Sequence, residues 1–233
     1  MRARKAPAAA IRVVAPEVAH QPAYRSHAPA PEPPRSAAWA SPPTLARRLV
    51  AILAADVAGY TRLMAEDEER THLALRAAWQ RVVAPSLARH GGRAVKHTGD
   101  GFLAEFGSPL AAVCCAVGLQ DAMRAHNGRA GSGRGLLFRV GVHLGEVIVE
   151  PHDIFGHSVN LACRLQALAE PGGVLISEAA YMAVRASLLI PVEATGEHVL
   201  RNVATPIRAF RVGLHEAVLS ALAPSRGAPE IPL

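Results

Sequence analysis

The chain has 233 residues, half of them apolar and 4% aromatic, with 25 basic and 19 acidic side chains, a size that suits one domain with tails. The excess positive charge sits in the first 48 residues, which hold eight of the Lys and Arg side chains and two of the acids, leaving 17 of each sign from 49 to 233. A folded part with no net charge is poor ground for nucleic-acid binding, and no window of about 20 apolar residues is available to span a membrane.

Residues 1–44 read as a disordered basic tail. Pro and Ala dominate, as in the stretches 28–34 and 41–43, and prolines interrupt every apolar period. Arg12 and Pro16 break the one stretch that resembles the apolar core of a signal peptide. Adjacent Cys114 and Cys115, with distant Cys163, make neither a metal-ligand spacing nor a disulfide framework. They suit a reducing cytoplasm and packing as small apolar residues.

The folded part, 45–214, opens on Leu49–Ala55, an unbroken apolar run that predicts a strand buried on both faces. It delivers Asp56 just ahead of Gly59. A buried lone carboxylate is costly unless it is paired or holds a metal, so Asp56 is either a metal ligand or the cap of a helix opening near Tyr60. An amphipathic stretch follows from Thr61 to His90, with Pro85 expected to kink or break it and Gly91-Gly92 to stop it. Arg93–His97 and Phe102–Phe106 predict a hairpin around Thr98-Gly99-Asp100-Gly101.

Pro109 starts an Ala-rich helix expected to end near His126, followed by a loop over 127–135. Phe138–His143 and Glu146–Glu150 read as a second hairpin turning through Leu144-Gly145. Ser158 is expected to cap a helix running to Ala169, ended by Pro171-Gly172-Gly173. A strand over 174–177, a short helix from Glu178, and strands near 188–192, 198–202 and 207–212 complete the domain, with 215–233 as a weakly ordered tail.

The order strand–helix–strand–strand–helix–strand predicts an α+β fold with a ferredoxin-like βαββαβ core. With the third strand beside the first, Asp56 and Asp100 meet at one sheet edge. Two carboxylates held together repel unless a cation sits between them, and Mg²⁺ and Mn²⁺ favour such sparse oxygen sites. Asn160 and Arg164, four apart, share a helix face, with Asp153 just upstream and Lys96 on the strand before Asp100. Each has a plainer reading: Asp100 as a turn residue, Lys96 as a solvated strand residue, Asn160 as a helix-start residue and Arg164 as part of an exposed face.

The segments Ala55–Met64, Val95–Gly101, Arg139–Glu146 and Asp153–Arg164 resemble, in this order, the motifs of the class III nucleotidyl cyclases, bacterial adenylate cyclases in particular. The resemblance covers about 47–213 and implies a homodimer of ferredoxin-like domains whose two active sites are shared across the interface. It implies ATP as substrate and two divalent ions per site, Mg²⁺ or Mn²⁺, on Asp56 and Asp100. It assigns the adenine to Lys96 and Asp153, the ribose to Asn160, the transition-state charge to Arg164 and, on a weaker match, the terminal phosphates to Arg201. The chain departs from the pattern at His97, where Thr is common, at His157-Ser158, and in having no Arg near Glu146. The alternatives are a guanylate cyclase and a catalytically silent nucleotide-sensing or dimerisation module.

Overall fold

The computed structural model describes residues 45–129, 135–199 and 206–214. Both predicted tails and Arg201 lie outside the described residues. The elements run β1 (Arg47–Val57), α1 (Tyr60–Glu66), α2 (Glu68–Ala78), a π-helical turn (Trp79–Val83), α3 (Ala84–Arg89), β2 (Arg93–His97) and β3 (Gly101–Phe106). They continue with α4 (Pro109–Arg129), β4 (Phe138–Val149), β5 (Ile154–Phe155), α5 (His157–Leu168), β6 (Val174–Ser177), α6 (Glu178–Val184), β7 (Val192–His198) and β8 (Ile207–Val212).

One sheet in the order β2-β3-β1-β4-β6-β8-β7 organises the domain, with β5 paired to β4. β1 lies antiparallel between β3 and β4, and β2 pairs antiparallel with β3. This is the expected split βαβ core, extended by β6, β8 and β7.

β1 earns its central place by being apolar on both sides. Ala51, Leu53, Ala55 and Val57 face a core filled by α2, the π-helical turn, α3, α4 and α6. Val50, Ile52 and Ala54 face the opposite side, against Val159 and Ala162 of α5. Strand alternation then puts Asp56 on the α5 side, just beyond Ala54.

Several sequence expectations are corrected. The second hairpin does not form: β4 is one strand from Phe138 to Val149, paired with β1 along its length, and the chain turns back only at β5. Gly145 is extended because a Cβ there would lie 2.3 Å from Ser158 Oγ, so the glycine admits α5 rather than a turn. Ser158 is buried inside the first turn of α5, whose N-cap is Gly156 with no side-chain cap.

Pro85 does not end its helix, sitting in the first turn of α3 directly after the π-helical turn. A proline removes the amide that an α-helical turn requires, and a wider turn upstream absorbs the mismatch. The break falls instead at Asp67, whose extended backbone separates α1 from α2 and whose side chain accepts from Arg70 N. β7 spans Val192–His198, between the strands expected at 188–192 and 198–202, with a bulge at Ala194/Gly196, and residues 200–202 lie outside the described residues. α4 runs on to Arg129. Cys115 is buried as expected, and Cys163 is exposed on α5.

Candidate active site

Asp56 is the penultimate residue of β1, opposite Gly101 of β3 and Arg139 of β4. The turn before β3 presents Asp100, whose carbonyl accepts from Val57 N at 3.0 Å. Gly101 makes that approach possible, since a Cβ there would stand 2.0 Å from Ala55 O. The two carboxylate-bearing residues therefore meet at one end of neighbouring strands, as the topology requires. The Asp56 carboxylate is not alone. Arg139 forks onto it, Nε to Oδ1 at 3.1 Å and Nη2 to Oδ2 at 2.9 Å, with Nη1 3.5 Å from Ala167 O.

No cluster of three or more His, Cys, Asp or Glu side chains able to hold a metal occurs among the described residues. The donor set at this end is two carboxylates on adjoining strand ends. Hard oxygen ligands in that number fit Mg²⁺ or Mn²⁺, which keep several waters and take further oxygens from phosphates.

A second cluster forms on the same face. Lys96 pairs in register with Leu103, whose side chain lies in the α5-side core, so Lys96 points to that side. There its Nζ donates to Asp153 Oδ2 at 2.8 Å and stands 5.3 Å from the centre of the Phe155 ring. Asp153 Oδ1 accepts from Ile154 N at 2.8 Å. Burial raises the Asp153 carboxyl, but the hydrogen bonds from Lys96 and the Ile154 amide, with the Lys96 charge, hold it below the usual carboxylate range. The anion is secured at neutral pH, and each partner keeps hydrogen-bonding capacity: Lys96 has further N–H donors and Asp153 further lone pairs.

α5 carries the remaining candidates. Asn160, in its first turn, is exposed, and Arg164 is partly buried one turn later. The Arg164 Nη1 atom is buried with no hydrogen-bond partner among the described residues. A charged donor left unpaired is costly, so this Nη1 is available to an acceptor that the described residues do not supply.

Sequence reasoning missed two of these residues. Arg139 lies inside a motif already singled out, but its meaning depends on β4 pairing with β1 so that position 139 falls opposite 56. Phe155 lies inside the segment Asp153–Arg164 and was given no role, and the two-residue strand β5 leaves it 40% exposed above Lys96.

With this geometry in hand, the chain can be placed among known proteins. Residues 46–213 match the model of the adenylate and guanylate cyclase catalytic domain. The chain belongs to this cyclase family. The Rhizobium meliloti protein named "Putative adenylate cyclase 3" is 47% identical over 164 residues, covering 70% of this chain and 28% of that protein. This cyclase chain thus spans little more than a quarter of that relative. The crystal structure of an adenylate/guanylate cyclase/hydrolase from Silicibacter pomeroyi superposes with a TM-score of 0.67 at 36% identity, covering 72% of this chain and 97% of the other. The guanylyl cyclase Cya2 gives 0.65 at 26% identity, covering 74% and 95%. No described helix of the cyclase is long and apolar enough to cross a membrane.

Proposed function

We propose that this cyclase converts ATP to 3′,5′-cyclic AMP and pyrophosphate at two sites shared between the copies of a cytoplasmic homodimer. The observation that carries the reading is the Lys96–Asp153 pair at 2.8 Å. An ammonium beside a carboxylate offers a donor to adenine N1 and an acceptor to its N6 amine. Guanine presents the opposite pattern at those edges, and a guanylate cyclase would need a carboxylate where Lys96 stands.

Asp56 and Asp100 would hold two divalent ions, Mg²⁺ or Mn²⁺. When bound, such ions acidify the ribose 3′-hydroxyl and offset the charge of the triphosphate. Asn160 hydrogen-bonds the ribose and fixes the 3′-oxygen in line with the α-phosphorus. As the new P–O bond forms and the bond to pyrophosphate breaks, negative charge grows on the non-bridging oxygens. Arg164 meets that charge with the Nη1 donor that is otherwise unpaired; a preorganised donor of this kind is worth about 3–4 kcal/mol. Arg201 adds positive charge for the terminal phosphates. The 3′-hydroxyl proton leaves to solvent, and no covalent intermediate is involved.

Purified protein incubated with ATP or GTP and Mn²⁺, with each cyclic product quantified by mass spectrometry, tests this directly. Cyclic AMP as the main product is expected. Cyclic GTP-derived product in excess would make it a guanylate cyclase, and neither product would make it a silent nucleotide-binding module.

A further inference from the structure

The sheet face opposite the Lys96–Asp153 pair holds a cavity of about 250 Å³ that the cyclase chemistry does not use. Tyr60, Arg76, Trp79, Gln80, His97 and Phe102 supply its main walls. His97 pairs in register with Phe102, which belongs to the helix-side core, so both rings point away from the nucleotide cluster. The interior is aromatic: the Trp79 ring centre lies 4.0 Å from that of His97 and 5.5 Å from that of Phe102.

The charge pattern is one-sided. Arg76 is the one permanently charged side chain of the lining, which contains no carboxylate. Among the described residues Arg76 makes no ion pair. An aromatic slot with a free guanidinium at its rim matches a flat apolar ring that bears one negative charge.

Trp79 opens the π-helical turn, closed by the Ala84 amide donating to Trp79 O. This five-residue spacing, which accommodates Pro85, also widens the helix where it borders the cavity.

We infer that this cavity is a binding site for a small aromatic carboxylate of one or two fused rings, the ring against Trp79 and Phe102 and the carboxylate toward Arg76. Gly99 and Gly101, on either side of Asp100, also line it. An occupant therefore touches the turn that presents Asp100, and a regulatory effect on cyclisation through this contact rests on the function proposed above. Binding itself does not.

The test uses 2-naphthoate and the full chain, with neither metal nor nucleotide, so its outcome is separate from cyclase activity. The indole N–H signal of Trp79, identified by its loss in Trp79→Phe, is followed by ¹H–¹⁵N NMR during titration. Saturable binding at one site per chain is expected. Arg76→Gln should weaken it about tenfold or more, as should replacing the acid by neutral 2-naphthalenemethanol. Gln80→Trp, at an exposed wall position, should block it while far-ultraviolet circular dichroism stays unchanged. Lys96→Ala should bind as wild type. Absence of saturation up to about 5 mM acid, wild-type affinity in Arg76→Gln, or loss of binding in Lys96→Ala would each overturn the assignment.

Discussion

Arg139 closes on Asp56 through Nε and Nη2, at 3.1 Å and 2.9 Å, and so covers both carboxylate oxygens. The contact is a consequence of register, because β1 and β4 place the two residues directly opposite each other. A forked guanidinium–carboxylate pair is a strong form of ion pair, and it competes with any cation for the same lone pairs. Arg139→Gln should therefore tighten Mn²⁺ binding by about tenfold, or about 1.4 kcal/mol. Electron paramagnetic resonance titration of nucleotide-free protein measures this, and unchanged or weaker Mn²⁺ binding would show that Arg139 does not guard Asp56.

The same contact separates two variants that should look alike in an activity assay. Asp56→Ala and Asp100→Ala are both expected to abolish cyclisation. Asp56→Ala also strands the Arg139 guanidinium, so it should lose about 1 kcal/mol of stability and about 2–4 °C in Tm. Asp100→Ala, which has no side-chain partner to lose among the described residues, should melt as wild type. Retained activity in either variant would remove the proposed metal site.

The parts of this molecule readable from residue order are those encoded locally. The run Leu49–Ala55 declares a strand covered on both sides, and Gly99-Asp100-Gly101 declares a turn. Once the βαββαβ order is recognised, topology alone brings Asp56 and Asp100 to one edge. Misreadings arose where a residue's local meaning yields to a distant neighbour. Gly145 looks like a turn but is an opening for Ser158, and Pro85 looks like a break but follows a π-turn. Arg139 carried no signal of its own until the register of β4 on β1 was known.

Lys96 and Asp153 are coupled, so their substitution must be coupled too. Lys96→Glu alone would set two carboxylates face to face at the site of a 2.8 Å ion pair. Combined with Asp153→Ser, it should erode the preference for ATP and raise use of GTP. A lost hydrogen-bond match in a desolvated pocket costs about 1–3 kcal/mol per unpaired group, enough to shift the ratio of the two rates by an order of magnitude or more. Undiminished ATP selectivity in the double variant would show that these residues do not read the base.

His143 makes stability depend on pH through a group that is not among the proposed metal and nucleotide residues. It is buried in β4, with Nδ1 2.9 Å from Ser177 Oγ, a hydroxyl that also accepts from Ala180 N. Burial first, and the charge of His157 second, push its pKa down to about 4 from 6.5. Between those values the unfolded chain takes up a proton that the native chain refuses. Stability from this residue is therefore complete above about pH 6.5 and lost as pH falls toward 4, by about 3 kcal/mol in all. Urea unfolding at several pH values should show this slope in wild type and a shallower one in His143→Asn. Parallel slopes would mean that His143 titrates normally.

The shared-site mechanism makes the strongest demand on the chain. In the mechanism proposed above, Asp56 and Asp100 would act on one side of each site, and Lys96, Asp153, Asn160 and Arg164 of the partner copy on the other. Asp56→Ala and Asn160→Ala homodimers should both be nearly inactive, since every site in each contains one defect. In a mixed dimer, one site collects both defects and its twin collects neither. Mixing the two inactive proteins under conditions of subunit exchange should therefore restore cyclase activity. With random pairing about half of the dimers are mixed and each has one intact site, so recovery should approach about a quarter of the wild-type rate. Differently tagged chains that co-purify after mixing would prove exchange. Exchange without recovered activity would mean that each chain builds its site alone, and Arg164 would then have to find its acceptor within its own subunit.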